Sequence, residues 1–359
     1  MIGFILKITA IDFFPHHLKR KVRWQTASYS ADSLQLFYVK IHAGDGLTGI
    51  GAASILPTRA ATFEPGVAAL KSATQAFIER DSDEIDALMD ELDQKVPSFL
   101  HHEVAVEMAL FDLKAKSQNV SLTTLLGGKR FDVIPVLKML GMGTTDWMAE
   151  RAAQFAKRGY RHLKVKLGSG PQDDWERFTA IRANVGADVT LTADFNGAYD
   201  AKTAIDVIDR LAPEGLTMAE QPVPANDIAG MAAVTAAVKP LVLADQSINS
   251  PEDVYEVSRR KAAGAVSIKL LKLGGIRRSL AVVKACESVG LPCHVGGTGS
   301  TRLVEAAQAH FISATPGVMV PSEIAEFEEL DGDLVEGFEV ADGAIRVPDG
   351  PGLGVRLRI

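Results

Sequence analysis

The chain has 359 residues, of which 47% are hydrophobic and 23% are charged, and this length predicts one large and one smaller domain. The formal net charge of −7 argues against a nucleic-acid-binding surface, and no run in the sequence is long enough to span a membrane. Because it has only two cysteines, Cys286 and Cys293, the chain is expected to be a soluble cytoplasmic protein without a disulfide framework.

The first part of the chain, residues 1–128, is predicted to be an α+β unit, because strand patterns precede helix patterns. Its apolar start is interrupted by Lys7 and Asp12, so we interpret it as a first strand and not as a signal peptide. Further strand patterns and then helix patterns follow at residues 34–41, 47–53, 67–78, 85–92 and 103–117. The pair Gly127-Gly128 closes this unit.

Between residues 129 and 324, short apolar strands alternate with helical stretches. The strands are predicted at residues 133–140, 162–167, 189–195, 216–222, 241–246, 265–272 and 291–297. Strand–helix units that repeat about every 25 residues predict a parallel sheet with crossover helices, and here they fit a (β/α)8-type barrel. The tail, residues 325–359, is rich in Gly, Pro and acidic residues and is expected to return to the first unit.

Charged residues recur at the ends of five successive predicted strands, where barrels of this kind place their chemistry. In chain order they are Lys164, Lys166, Asp194, Glu220, Asp245 and Lys269. A single acidic residue at such a position is more often a helix cap, and Lys-x-Lys alone is most often an exposed strand face. The joint pattern favours a functional site, because the residues occupy equivalent positions and the strand of Lys164 and Lys166 would be buried on both faces.

The three carboxylates predict a metal site. Carboxylates that converge on one place repel one another unless a cation holds them. Oxygen ligands without His or Cys indicate a hard divalent ion, and Mg²⁺ suits them best. A cation beside an ammonium lowers the pKa of the lysine towards neutrality, where a general base is effective. The pattern therefore predicts removal of the proton α to a substrate carboxylate, with the metal stabilising the enediolate.

The segments around these residues resemble those of the enolase superfamily, and specifically of its muconate-lactonizing subgroup. The matching segments are EMALFDLKAKSQNVSLTTLLGG (107–128), KVK (164–166), DFN (194–196), EQP (220–222), ADQS (244–247), KLLKLGGI (269–276) and PGLGV (351–355). The resemblance covers nearly the whole chain. It implies a modified TIM barrel with an α+β capping domain, and a Mg²⁺-dependent enzyme in which Mn²⁺ is an expected substitute.

The resemblance also implies roles for individual residues. Asp194, Glu220 and Asp245 would be the metal ligands. Lys166 and Lys269 would be acid/base catalysts on opposite faces of the substrate, and Lys164 would assist Lys166. Further residues expected near the metal or the substrate are Asn196, Gln246, Lys272, His294, Thr298, Glu323, Trp24, Tyr29 and Ile55.

Three departures from the family's pattern concern the substrate. Gln246 follows Asp245 where relatives often have a Glu, and Gln carries no charge. Small hydroxyl residues in 296–305 stand where many relatives have a Glu after the seventh strand. Dipeptide epimerases of the subgroup carry Asp-x-Asp after the eighth strand, whereas this chain has Ser322 and Glu323, which weakens that interpretation.

Substrate selectivity is expected to depend on loops of the capping domain. Residues 16–29 are the candidate lid, with Trp24 and Tyr29 as apolar anchors; they are either a solvated basic loop or a lid that attracts an anionic substrate. Ile55 belongs to a second candidate wall. His294, at the end of the seventh strand, is more often a buried core histidine than a catalyst.

The sequence thus predicts an isomerase, either a racemase/epimerase or a cycloisomerase, that acts on a small carboxylate or amino-acid derivative. A dehydratase of a hydroxy acid or hydroxyproline-like substrate is the alternative. A non-catalytic metabolite-binding relative is more distant, because no metal ligand and neither lysine is lost. A homo-oligomer without nucleic-acid or membrane partners is expected.

Overall fold

The first unit is built on an antiparallel sheet in the computed structural model, which describes residues 6–359. Three of its strands are β1 (Ile8–Gln25), β2 (Ser30–Ala43) and β3 (Thr48–Ile55). Residues 36–39 of β2 are fully buried, so this central strand is covered on both faces. The part of the predicted first strand that precedes residue 6 lies outside the described residues.

Helices cover one face of this sheet. They are α1 (Phe63–Ala73), α2 (Ile85–Lys95), α3 (Leu100–Ser117) and α4 (Leu122–Leu125). Strand β3 approaches α3 so closely that only glycine fits: a Cβ atom at Gly49 or Gly51 would lie 2.0 Å from the carbonyl oxygen of Ala109 or Ala105. Within the described residues, no helix combines the length and apolarity needed to cross a membrane.

The candidate lid, residues 16–29, is part of a β-hairpin (hereafter the lid hairpin), and the expectation of a loop is wrong for most of this segment. Residues 16–25 extend β1, and Trp24 pairs with Ala31 of β2. Leu18 and Trp24 are buried while charged neighbours such as Lys19 and Lys21 face solvent. Buried and exposed side chains therefore alternate along this segment, as in a strand with one face in solvent.

The second unit is an eight-stranded parallel sheet, preceded by the short β4 (Val133–Pro135). The eight strands are β5 (Leu137–Leu140), β6 (His162–Lys166), β7 (Thr190–Asp194), β8 (Leu216–Glu220), β9 (Leu241–Ala244), β10 (Ala265–Ile268), β11 (Cys293–Val295) and β12 (Val318–Met319). The backbone N–H of Leu137 donates to the carbonyl of Ser322 at 2.9 Å, which joins the first strand to the segment after the last. The predicted (β/α)8-type barrel with its α+β cap is confirmed.

One predicted strand, residues 133–140, is instead two strands. Val136 interrupts it, because its N–H donates to Gly343 of the tail and the residue pairs with Ser322. The crossover helices of the barrel are α5 (Thr145–Lys157), α6 (Pro171–Val185), α7 (Ala201–Leu211), α8 (Ile228–Ala237), α9 (Pro251–Arg260), α10 (Leu270–Leu273), α11 (Ile276–Val289) and α12 (Arg302–Ala314).

The tail contacts both units. Its strands are β13 (Leu330–Asp331), β14 (Val335–Glu336), β15 (Val340–Ala341), β16 (Ala344–Arg346) and β17 (Arg356–Leu357). Strand β13 pairs with β1, whereas β16 pairs with β4 at the start of the barrel. The N–H of Leu353 donates to Asp112 of α3 at 2.7 Å. The division of the chain at residues 128 and 324 stays a prediction.

Candidate active site

The charged residues singled out in the sequence lie together at the carboxyl ends of the barrel strands. Lys166, Asp194 and Glu220 are the last residues of β6, β7 and β8, while Asp245 and Lys269 directly follow β9 and β10. None of the five is more than 8% exposed. Helix caps are supplied by other residues, such as Asp200 for α7 and Asp227 for α8, so capping does not account for these carboxylates.

Lys164 is fully buried in the centre of this group. Its Nζ atom lies 2.8 Å from Oε2 of Glu220 and 3.7 Å from Oδ2 of Asp194, and it also donates to Glu323. Burial lowers the pKa of Lys164, but the Glu220, Glu323 and Asp194 carboxylates more than offset it and hold the pKa well above its usual value. The side chain is therefore a buried cation and does not lie on a solvent-exposed face of the strand.

The two outer lysines each contact one aspartate. Lys166 donates to Asp194, and Nζ of Lys269 lies 2.6 Å from Oδ2 of Asp245. Lys272 adds a second ammonium 3.2 Å from the other oxygen of Asp245. Burial lowers the pKa of Lys269, but Asp245 and Glu220 raise it above its usual value. The expected lowering of a lysine pKa depends on a metal cation and stays a prediction.

The carboxylates are suited to a hard divalent cation, although lysine side chains occupy the space between them. Oε1 of Glu220 is buried and has no hydrogen-bond partner, and it lies 3.7 Å from Nζ of Lys269. As the side chains of residues 6–359 stand, no three His, Cys, Asp or Glu groups form a metal cluster. Carboxylate oxygens, one of them without a hydrogen-bond partner, are the kind of ligand that Mg²⁺ prefers.

Hydrogen bonds hold the carboxylate of Asp194 and the backbone of Asp245 in place. The N–H of Asn196, a residue with φ 48°, donates to Oδ1 of Asp194 at 2.9 Å. Oε1 of Gln221 accepts from the backbone N–H groups of Asp245 at 3.0 Å and Ser247 at 3.2 Å. Gln221 is a supporting residue that the sequence analysis missed, although it belongs to the quoted EQP segment.

His294 and Glu323 lie beneath the site. Nε2 of His294 is 3.0 Å from Oε1 of Glu323, whose other oxygen accepts from the N–H of Gly297 at 2.7 Å. Burial raises the pKa of Glu323, but Lys164 and His294 more than offset it, so the pKa is well below its usual value. His294 thus orients Glu323 against Lys164, and it does not line the cavity that opens above the lysines.

A cavity of about 220 Å³ opens above the lysines. It is lined by Arg20, Trp24, Thr26, Ser28, Tyr29, Leu56, Thr58, Met139, Lys166, Asn196, Asp245, Gln246, Lys269, Lys272, Gly297, Thr298, Gly299 and Glu326. Eight of the predicted site residues besides Asp245 are in this lining, whereas Ile55 lines a smaller neighbouring cavity. The lining also contains Arg20 and Glu326, which the sequence analysis did not name as site residues.

Two family descriptions match the chain in sequence. "Mandelate racemase / muconate lactonizing enzyme, N-terminal domain" matches residues 9–127, and "Enolase C-terminal domain-like" matches residues 147–358. The chain is 30% identical to muconate cycloisomerase 1 of Rhodococcus opacus over 354 residues, 95% of this chain and 93% of the relative. It is 26% identical to N-succinyl-L-Arg/Lys racemase of Bacillus cereus over 360 residues, 98% of this chain and 96% of the relative.

A solved structure extends the comparison to the fold. The dipeptide epimerase of Enterococcus faecalis, complexed with Mg and the dipeptide L-Leu-L-Tyr, superposes with a TM-score of 0.92 at 27% identity. The match covers 97% of this chain and 99% of that one. The relatives are thus isomerases of three kinds, and one of them was crystallised with magnesium.

Proposed function

The chain belongs to the mandelate racemase/muconate lactonizing enzyme family of the enolase superfamily, and on this premise we propose that it is an isomerase that removes the proton α to a carboxylate with two lysines. One observation carries this proposal. Lys166 ends β6 and Lys269 follows β10, and these strands are four places apart in the eight-stranded sheet. Strands so related lie on opposite walls of a closed barrel, so the two amines face each other across the cavity.

Two bases that face each other can act on one carbon from both sides. Nζ of one lysine accepts the α-proton while Nζ of the other donates a proton to the opposite face. Asp194 and Asp245 hold the two amines in place, as each contacts one of them. Exchange of the two roles lets the same site act on either configuration at the carbon, which is the requirement of a racemase or epimerase.

The carboxylates have a second role in this proposal. Asp194, Glu220 and Asp245 would hold Mg²⁺, which when bound supplies positive charge against the negative charge that develops on the substrate carboxylate. Lys164 adds a fixed buried cation at 2.8 Å from Glu220 and so limits the mutual repulsion of the carboxylates. The magnesium in the related dipeptide epimerase supports this assignment.

Proton exchange in D₂O tests the reaction. The protein would be incubated with Mg²⁺ and both enantiomers of candidate carboxylates, and loss of the α-proton signal would be followed by NMR. We expect Lys166→Ala and Lys269→Ala each to abolish exchange for one enantiomer only. Lys284→Ala, which removes an exposed lysine on α11, is the matched control and should leave both rates unchanged.

Two results would contradict the proposal. Exchange that survives in the variant lacking both lysines would remove the two-base mechanism. Turnover that persists after chelation of divalent cations would remove the metal assignment. Analysis of the product separates the remaining alternatives, because an epimer, a cyclised isomer and a dehydrated acid differ in their proton spectra.

A further inference from the structure

One wall of the substrate cavity carries two opposite charges that the proposed reaction does not use. Arg20 comes from β1 in the lid hairpin, and Glu326 is the first residue of a 3₁₀ helix (Glu326–Glu329) after the eighth barrel strand. Both side chains line the cavity of about 220 Å³. They flank the α-carbon of Gly299, since a Cβ atom there would lie 2.7 Å from Nη2 of Arg20 and 3.9 Å from Oε2 of Glu326.

The setting of Glu326 is unfavourable for a carboxylate that serves only the fold. The residue is 6% exposed, and its backbone N–H donates at 2.9 Å to Glu305, a second buried carboxyl group. Nε of Arg20, which lines the same cavity, is buried without a hydrogen-bond partner. Buried polar groups normally pair with protein or with a bound group, so this wall has unused capacity for hydrogen bonds.

The two charges restrict what the wall can accept. An anionic group would meet Glu326, and a cationic group would meet Arg20. An apolar group would desolvate both side chains without replacing their hydrogen bonds. A neutral carboxamide fits both, because its N–H donates to the carboxylate and its carbonyl accepts from the guanidinium. The hydroxyl groups of Thr26, Ser28 and Tyr29, which line the same cavity, are also suited to a neutral polar group.

We propose that Arg20 and Glu326 are specificity-determining residues that select a substrate bearing a neutral carboxamide at the end that does not react. The proposal rests on the proposed function, in which the opposite end of the substrate is the carboxylate held beside Lys166 and Lys269. Arg20 and Glu326 form a single donor–acceptor subsite, because each side chain excludes the charge that the other would attract.

A matched series of ligands tests this subsite. The series consists of amino-acid-like carboxylates of one chain length that end in a carboxamide, a carboxylate, an ammonium or a methyl group. Dissociation constants would be measured by titration calorimetry with Mg²⁺ present, and kcat/KM by α-proton exchange. We expect the carboxamide to bind the unmodified protein at least about tenfold more tightly than the other three members.

Variants that remove one charge each are predicted to change the ligand preference in opposite directions. Glu326→Gln leaves Arg20 unopposed, so the order should change to favour the carboxylate-ended member. Arg20→Gln leaves Glu326 unopposed and should favour the ammonium-ended member. The double variant is neutral again and should restore the preference for the carboxamide.

The pair Lys21 and Asp331 provides the control. Lys21 follows Arg20 on β1, and Asp331 is on β13, directly after the 3₁₀ helix of Glu326. The two side chains pair at 3.9 Å, but they are 49% and 64% exposed and do not line the cavity. Lys21→Gln and Asp331→Asn should therefore leave the order of the series unchanged.

These measurements distinguish a failure of the proposed subsite from a failure of the proposed reaction. A series without preference for the carboxamide, or without any binding, would overturn the subsite, as would single variants that keep the original order. The expected binding order without α-proton exchange would support the subsite and overturn the proposed reaction.

Discussion

Replacement of Glu107 by glutamine tests how the capping unit is joined to the barrel. Glu107 of α3 is 1% exposed, and its carboxylate accepts from the backbone N–H groups of Ile276 and Arg277 at the start of α11. Burial raises the pKa of Glu107 from 4.5 to about 7, although these N–H groups and the side chains of Arg277 and Arg278 oppose the rise. The carboxyl group is therefore more readily protonated in the folded protein than in the unfolded chain.

The pKa difference sets the sign and size of a pH effect on stability. Between pH 4.5 and about 7 the folded state holds a proton at Glu107 that the unfolded state has lost, so the free energy of unfolding falls as the pH rises. At about 1.36 kcal/mol for each pKa unit, this contribution amounts to about 3 kcal/mol. It is fully present below pH 4.5 and is lost above about pH 7. Because a glutamine amide does not titrate in this range, Glu107→Gln should remove the pH-dependent contribution.

Urea unfolding of both proteins at pH 5 and pH 8, followed by tryptophan fluorescence, measures the effect. We expect the stability of Glu107→Gln relative to the unmodified protein to increase by up to about 3 kcal/mol from the lower to the higher pH. Asp86→Asn is the control, because Asp86 binds the same Arg277 but its side chain is 87% exposed. A stability difference that is constant with pH, or that changes in the opposite direction, would refute the reasoning, since the helix N-terminus and the arginines would then outweigh burial.

Two further substitutions and one removal of a ligand have defined outcomes. Lys164→Met leaves Glu220 and Glu323 without their buried cation and should lower the free energy of unfolding by about 3–5 kcal/mol, which urea titration would detect. Gly51→Ala places a methyl group 2.0 Å from the Ala105 carbonyl oxygen and should cost at least about 2 kcal/mol, whereas Gly44→Ala, with 3.7 Å to its nearest neighbour, should be close to neutral. Removal of Mg²⁺ by chelation should abolish α-proton exchange and lower the unfolding temperature by an amount that depends on the Mg²⁺ concentration, and an unchanged unfolding temperature would argue against a bound cation.

The positions of the charged site residues were predictable, because parallel strands place their carboxyl ends at one edge. The spacing of Lys164, Asp194, Glu220 and Asp245 in the sequence therefore carried spatial information. What the sequence analysis did not show is which groups pair. The contact of Glu323 with Lys164 joins residues 159 positions apart, and it depends on closure of the barrel.

The lid hairpin and the position of Glu326 in the cavity wall could not be predicted in the same way. Residues 16–25 contain several cationic side chains on the solvent-exposed face of β1, and this composition resembles that of a loop. Their partner strand β13 lies more than 300 positions away, where Lys19 pairs with Asp331. Glu326 lies in an irregular segment with no periodic pattern, and only the local excess of acidic residues at 323–329 could have drawn attention to it.

The pairing of β1 with β13 makes the entrance of the cavity depend on the end of the chain. Arg20 pairs with Leu330, and His16 contacts the carbonyl of Gly332. A hinge motion of the hairpin alone would break this ladder, so the hairpin and the segment after the eighth strand are expected to open as one piece. Truncation of the chain before residue 330 would consequently loosen the hairpin that carries Arg20 and Trp24 of the cavity lining, although both residues lie more than 300 positions before the cut.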